Sequence, residues 1–261
     1  MKPDHTLPTD IRVLHAAAAV LWALSAVMVV VALGLWLVRH EVWSIQAVEV
    51  KGNVQHQSEV VLRTHLANRL QGTFININLK DVRAVVEELP WVRRAEVTRV
   101  FPNRLRLVIE EHQGVAWWGE AQAGRIINSH GEIFEAVADD QISATWPELS
   151  GPDVLAPSVL ALYQSIEPMF TPLKRDVVRL EQDTRGAWRV RLDNGARIEL
   201  GRGDVAYLSQ RTQAFTDTVQ GLMARYGQRD IETADLRYPN GYALRLRGIT
   251  TVPVQSTTTP S

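Results

Sequence analysis

The chain contains no cysteine. Disulfides, thiolate zinc sites and a cysteine nucleophile are therefore excluded. It also lacks an excess of charge of either sign. Its 28 Lys and Arg residues face 29 Asp and Glu residues, for a formal net charge of −1. With no long basic run, there is no electrostatic case for nucleic acid. Catalytic signatures are missing too: no G-x-S-x-G, H-E-x-x-H, P-loop or dinucleotide-binding glycine fingerprint occurs. The seven histidines are scattered, and no pair has helical metal-ligand spacing. Adjacent carboxylates stand at Glu110-Glu111 and Asp139-Asp140. Neighbours on a strand point to opposite faces, so Glu110 and Glu111 cannot act jointly on one substrate. Solvation is their expected role, and no cofactor or metal is expected anywhere.

One long apolar run is present. Ala16 to Val38 is 23 residues without a charge, eleven of them Leu or Val. As a helix it reaches about 35 Å, enough for a hydrocarbon core of roughly 30 Å. A cleaved signal peptide has a shorter apolar region of about 7–15 residues. Ala32-Leu33-Gly34 has some of the shape of a cleavage site, but the run continues through Leu35, Trp36, Leu37 and Val38. A buried core helix of this length would carry some polar face. The expectation is one membrane span, with Trp36 and Trp43 near its exit end, where aromatic rings favour the interface. No second span is visible downstream. Orientation is close to a tie, since Lys2 and Arg12 precede the run while Arg39 and Lys51 follow it. Residues 1–15 read as a disordered tail.

After the run, Ser44 to Val50 alternates as a strand and ends at Lys51-Gly52-Asn53. Ser58 can cap a helix to about Leu70, stopped by Gly72. Asn78 can cap a second helix, on which Val82, Val85, Val86 and Leu89 form one apolar stripe before Pro90. Ala95 and Val97 alternate with polar residues, Phe101-Pro102-Asn103 turns the chain, and Leu105, Leu107 and Ile109 alternate on the return. The order strand-helix-helix-strand-strand is a complete small α+β unit.

From Gly114 short strands and turns dominate. Residues 125–127 and 132–134 flank a hairpin turn, and Trp146 to Pro152 reads as a loop rich in turn residues. Val159 to Phe170 is a helix and Val177 to Glu181 a strand. Trp188, Val190 and Leu192 lead into the Asp193-Asn194-Gly195 turn, with Ile198 and Leu200 on the return. Asp204 can cap a long helix to Tyr226. Ile231 to Tyr238 and Tyr242 to Arg247 form a last strand pair around Pro239-Asn240-Gly241. The Ser/Thr/Pro-rich residues 250–261 are expected to be disordered. Trp117-Trp118 reads as one core ring and one edge ring, with a ligand-stacking platform as the alternative. The Arg-Gly-Asp triplet 202–204 is explained by a turn glycine and an N-cap. If the last strand is a sheet edge, its free N–H and C=O groups can accept a strand from another chain, unless the tail or a loop covers it.

A set of short motifs stands in a fixed order behind the anchor. They are Val50-Lys51-Gly52-Asn53, Leu89-Pro90-Trp91-Val92, Val100-Phe101-Pro102-Asn103-Arg104-Leu105 running on to Glu110-Glu111, Leu200-Gly201-Arg202-Gly203-Asp204, and Asp235-Leu236-Arg237-Tyr238. Together they resemble the FtsQ/DivIB family of bacterial cell-division proteins over nearly the whole chain. The resemblance implies a cytoplasmic tail at 1–15, a transmembrane helix at 16–38, a POTRA domain at 44–112, a β domain at 113–249 and a disordered tail at 250–261. It implies an inner-membrane protein with its bulk in the periplasm, enriched at the septum. The implied role is a non-enzymatic divisome scaffold that recruits and regulates septal peptidoglycan synthesis by binding FtsB and FtsL, with FtsK, FtsW and FtsI nearby.

By the same resemblance, a strand of FtsB adds to the last strand. The residues implied in that contact are Arg185, Arg237, Tyr238, Asn240, Gly241, Tyr242 and Leu246. Leu246 falls where some relatives place Trp. Pro239 departs from the pattern, because it has no N–H to give a partner strand. Two other classes remain as rivals. A POTRA-bearing chaperone or translocation factor would show several POTRA repeats or a β-barrel. A membrane-anchored cell-wall enzyme would need an acid/base constellation.

Overall fold

The computed structural model describes residues 9–39, 44–45, 47–52, 64, 66, 69 and 73–248. The expected tail residues 1–8 and 250–261, and Trp43, lie outside the described residues. The chain divides into two compact units, one up to Glu111 and one from His112.

In the first unit, helix α1 spans Thr9–Arg39. It starts earlier than the apolar run, so residues 9–15 are helical rather than a free tail; nothing between Thr9 and Ala16 is a helix breaker. Its apolar stretch, Val13–Trp36, is 24 residues long and none of it is buried. That excludes the buried-core-helix reading and leaves a helix long and apolar enough to cross a membrane once.

Strand β1 is Ala47–Lys51. It begins beyond the expected Ser44, and Ser44 and Ile45 lie outside it. The helix expected over 58–70 lies largely outside the described residues, although Thr64, Leu66 and Arg69 are helical and Leu66 is buried. Helix α2, Leu79–Glu87, is capped as its sequence suggests: the Asn78 side chain accepts a 3.0 Å bond from the Lys80 N–H. Its Val82 and Val86 are buried, as is Leu89 just beyond it. Strands β2 (Val92–Val100) and β3 (Arg104–Glu111) form an antiparallel hairpin, and β1 pairs parallel with β3, giving the order β1-β3-β2. Leu105, Leu107 and Ile109 of β3 point inward to Leu66, Val82 and Val86. Each such fully buried side chain stabilises the unit by about 1.5–3 kcal/mol.

The second unit is one nine-stranded mixed sheet with two long helices. Its elements are β4 (Gly114–Trp118), β5 (Arg125–Asn128), β6 (Ile133–Glu135), the short α3 (Asp140–Ser143), β7 (Glu148–Ser150), α4 (Ala156–Phe170), β8 (Val177–Gln182), β9 (Trp188–Leu192), β10 (Arg197–Gly201), α5 (Val205–Arg225), β11 (Ile231–Asp235) and β12 (Ala243–Leu246). The sheet order is β12-β11-β10-β9-β8-β7-β4-β5-β6. Val159, Leu162, Ile166 and Phe170 of α4 and Leu208, Phe215 and Val219 of α5 pack on Leu180, Val190, Ile198 and Leu200. Both helices thus lie on one face of the sheet; the other face is charged over β8 to β10 and apolar at the β4–β6 end, where Trp117, Ile126 and Phe134 form a cross-strand row.

Three readings need correction here. The 146–152 loop contains a strand: β7 sits inside the sheet, parallel to both β4 and β8. Three residues between Pro147 and Gly151 carry no visible periodicity, and its ladder is supplied from outside by the Trp117 N–H to Pro147 O (3.0 Å) and the Gly119 N–H to Leu149 O (2.7 Å). β11 ends at Asp235 rather than Tyr238, because the Arg237 N–H turns back onto Asp235 Oδ1 at 3.0 Å and leaves the ladder. β12 begins at Ala243 rather than Tyr242, because Tyr242 is committed to α5 as described below. The Trp pair is structural. Trp118 is buried and donates to Asp153 Oδ1 at 2.9 Å, while Trp117 lies edge-on to Trp146 at 5.5 Å.

Candidate partner-binding site

Among the described residues the last strand is a sheet edge: β12 pairs antiparallel with β11 alone, from Ile231↔Leu246 to Asp235↔Ala243. An edge strand turns one row of N–H and C=O groups outward, which is a template for another strand.

The chain entering this edge is firmly held. Asp204 caps α5 by accepting the Tyr207 N–H at 2.8 Å, which is the role expected for the end of the Arg-Gly-Asp triplet. From α5, the Arg211 guanidinium donates to the Tyr238 carbonyl at 2.9 Å, and Phe215 meets the Tyr242 ring edge-on at 4.9 Å. Arg211 also lies over the Tyr207 ring, 5.1 Å from its centre. Between α5 and the 236–242 segment runs a groove of about 410 Å³, lined by Tyr207, Arg211, Phe215, Tyr238 and Tyr242 among others. Flanking Leu236 of that groove in sequence, Asp235 and Arg237 form a two-point ion pair of 2.9 and 2.6 Å. That guanidinium holds the Asp235 carboxyl below its ordinary value of 3.8.

The sequence-derived residues fall into three groups. Arg237, Tyr238, Asn240 and Gly241 lie together and exposed at the approach to β12, and Tyr238 is 56% exposed. Tyr242 is half-buried against α5, and Leu246 is buried at 6% exposure within the core. The side chain of Leu246 therefore faces inward, and only its backbone is available at the edge. Arg185 is exposed in the β8–β9 turn. Asp183 organises that turn by accepting the Ala187 and Arg185 N–H groups at 2.8 and 2.9 Å. These bonds, Ala187 first, lower the Asp183 carboxyl from its ordinary value. Trp188 pairs with Gly201, and Gly201 adjoins Arg237, so Arg185 stands at the same end of the sheet as Tyr238, some strands away. Tyr207, Arg211 and Thr218 were not picked out from the sequence. They recur at helical spacing on α5, but nothing in the sequence says which surface that stripe faces.

Two family models match the chain: the POTRA domain, FtsQ-type, over residues 43–112, and cell division protein FtsQ/DivIB, C-terminal, over residues 116–237. Among curated proteins, the chain is 36% identical to the cell division protein FtsQ of Thiomonas arsenitoxydans, over 93% of this chain and 90% of that protein. It is 33% identical to the FtsQ of Burkholderia pseudomallei, over 92% and 94% of the two chains.

The chain belongs to the FtsQ/DivIB family. It is a cell-division protein, built as a single apolar N-terminal helix, a POTRA domain of the FtsQ type and a mixed β-sheet domain with helices. The C-terminal family model stops at residue 237. The exposed approach to β12 thus lies beyond that match from Tyr238 onward, with Arg237 its last matched residue.

Proposed function

We propose that the chain is a non-enzymatic divisome scaffold, crossing the inner membrane once through α1 with its N-terminal residues in the cytoplasm and residues 44–249 in the periplasm. It gathers at the septum and recruits and regulates septal peptidoglycan synthesis by binding FtsB and FtsL, with FtsK, FtsW and FtsI as further contacts. The observation that supports this reading best is the β12 edge. Its backbone faces outward beside a groove in which Tyr238 is exposed and its neighbours are pinned.

A partner strand adds antiparallel or parallel to β12, with pairing from Gly241 onward because Pro239 offers no N–H. Tyr238 supplies the aromatic anchor. Arg185 and Arg237 meet partner carboxylates. Asn240, Gly241 and Tyr242 shape the way onto the edge, and Leu246 contributes backbone.

Depletion of the protein in its source bacterium, followed by phase microscopy, tests the role. Long, smooth, multinucleoid filaments are expected. Normal cell length with outer-membrane defects would instead assign the chain to polypeptide handling, and lysis without filamentation would point to a cell-wall enzyme.

A further inference from the structure

The face of the nine-stranded sheet opposite α4 and α5 carries a transverse row of arginines. Arg179 of β8 stands opposite Arg191 of β9, and Arg191 opposite Arg197 of β10. Arg197 in turn stands opposite Thr233 of β11, and Thr233 opposite Arg245 of β12. The row crosses five strands, about 19 Å at 4.7–4.9 Å per strand. The neighbouring row on the same face is different: Glu181, Arg189, Glu199, Asp235 and Ala243. Part of both rows lines a groove of about 500 Å³.

The acidic row is internally satisfied. Arg189 bridges Glu181 and Glu199, and Asp235 is held by Arg237. The arginine row is not. Arg179 is paired with Glu148, and Arg245 lies 3.3 Å from Glu232. Among the described residues, however, Arg191 and Arg197 have neither an ion pair nor a side-chain hydrogen bond, and both are exposed. Like charges placed directly opposite each other weaken an antiparallel pair. The sheet bears that cost at its helix-free centre, where one carboxylate would remove it.

We propose that this row is a docking site for an acidic α-helix of a partner polypeptide, laid across the strands. A helix advances about 5.4 Å per turn, close to the spacing between strands. Carboxylates placed once per turn therefore meet an arginine on β8, β9, β10 and β12 and the Thr233 hydroxyl on β11. The occupant is narrow, because the row bearing Glu181 and Glu199 lies two residues further along the strands, about 7 Å away. A broad anionic surface such as a membrane leaflet would also cover the second row and gain nothing there, because its Arg189 is already bridged by Glu181 and Glu199. The site uses side chains on the sheet face and does not depend on strand addition at the β12 backbone.

The test uses the full chain in nonionic detergent and a labelled alanine-based helix carrying one Glu per turn, with a Gln-substituted helix as control. Fluorescence anisotropy is expected to show binding of the Glu helix alone. The variant Arg191→Gln with Arg197→Gln weakens it about tenfold at low salt, the effect of losing two exposed charge pairs. High salt removes the difference by screening. The paired Lys substitutions at 191 and 197 retain most of the affinity. Both positions are exposed, and far-ultraviolet circular dichroism verifies the fold. The same double Gln variant leaves binding of an FtsB strand peptide at β12 unchanged, so this site and the edge-strand reading fail separately. No binding of the Glu helix to the unmodified chain overturns the proposal, as does equal affinity for the double Gln variant. Preferential, Arg191- and Arg197-dependent binding of phosphatidylglycerol vesicles would assign the row to lipid and overturn it as well.

Discussion

The Tyr242 hydroxyl and the Thr218 hydroxyl lie 2.9 Å apart, hydrogen-bonding the residue that leads into β12 to the middle of α5. The same tyrosine ring packs edge-on against Phe215. The edge strand is thus held from two sides, by β11 through its backbone and by α5 through Tyr242. Tyr242→Phe removes only the hydrogen bond and is expected to cost about 1 kcal/mol. Tyr242→Ala also removes a half-buried ring and its aromatic pair, for about 2–3 kcal/mol. Thermal unfolding of the two variants checks the order; equal losses would mean that the ring contributes nothing beyond its hydroxyl.

Tyr238 has the opposite balance. It is 56% exposed and, among the described residues, its carbonyl alone is hydrogen-bonded, by Arg211. Tyr238→Ala is therefore expected to leave stability within about 0.5 kcal/mol. It should weaken binding of an FtsB strand peptide by at least ~2 kcal/mol, as loss of a central aromatic anchor does. Arg185→Ala is expected to cost less, because its turn is exposed and an exposed ion pair contributes little. Calorimetric titration of both variants ranks them, and a larger loss at Arg185 would reverse the assignment of the anchor.

Much of this architecture is legible in the sequence, and the exceptions have physical causes. Period and capping gave α2 and α5 with their N-cap residues Asn78 and Asp204, because the cap is a local interaction within three residues. The Asp193-Asn194-Gly195 turn set the β9–β10 hairpin for the same reason. β7 was not legible, since a three-residue strand draws its pairing from β4 and β8, far away in the chain. Leu246 looked like contact surface, yet its register opposite Ile231 turns it into the core. The arginine row is invisible in one dimension: Arg179, Arg191, Arg197 and Arg245 are scattered over more than sixty residues and become neighbours only through strand register.

The Asp235–Arg237 pair makes stability acid-sensitive. The folded carboxyl sits below its ordinary 3.8, first because of the Arg237 hydrogen bond. A depressed carboxyl stabilises the fold above its unfolded value, and that contribution is lost as pH falls through the folded value. The loss therefore develops from about pH 4 downward. Arg237 is 63% exposed, so the contribution is below about 1 kcal/mol. Asp235→Asn is expected to lower stability by that amount at neutral pH and to flatten the decline below pH 4. Parallel decline of the variant and the unmodified chain would assign the acid sensitivity elsewhere.

Gly52 is the position where the POTRA unit tolerates no side chain. It follows β1 with φ of 127°, a region that residues with a Cβ rarely adopt. A Cβ built there would fall 2.2 Å from the Ile109 carbonyl oxygen on the backbone of β3. Neither atom can move cheaply, because β3 is the central strand and pairs with both β1 and β2. The backbone conformation alone costs about 1–3 kcal/mol, and relief of the clash must come from parting the parallel β1–β3 ladder. Gly52→Ala is expected to destabilise the POTRA unit by about 3 kcal/mol or more. Hydrogen exchange should then show lost protection in β1 and at its partners Leu105 and Leu107 in β3. Protection in β8 to β10 should be unchanged, since those strands belong to the other unit. If β1 keeps its protection in the variant, the glycine is present for a reason other than backbone geometry.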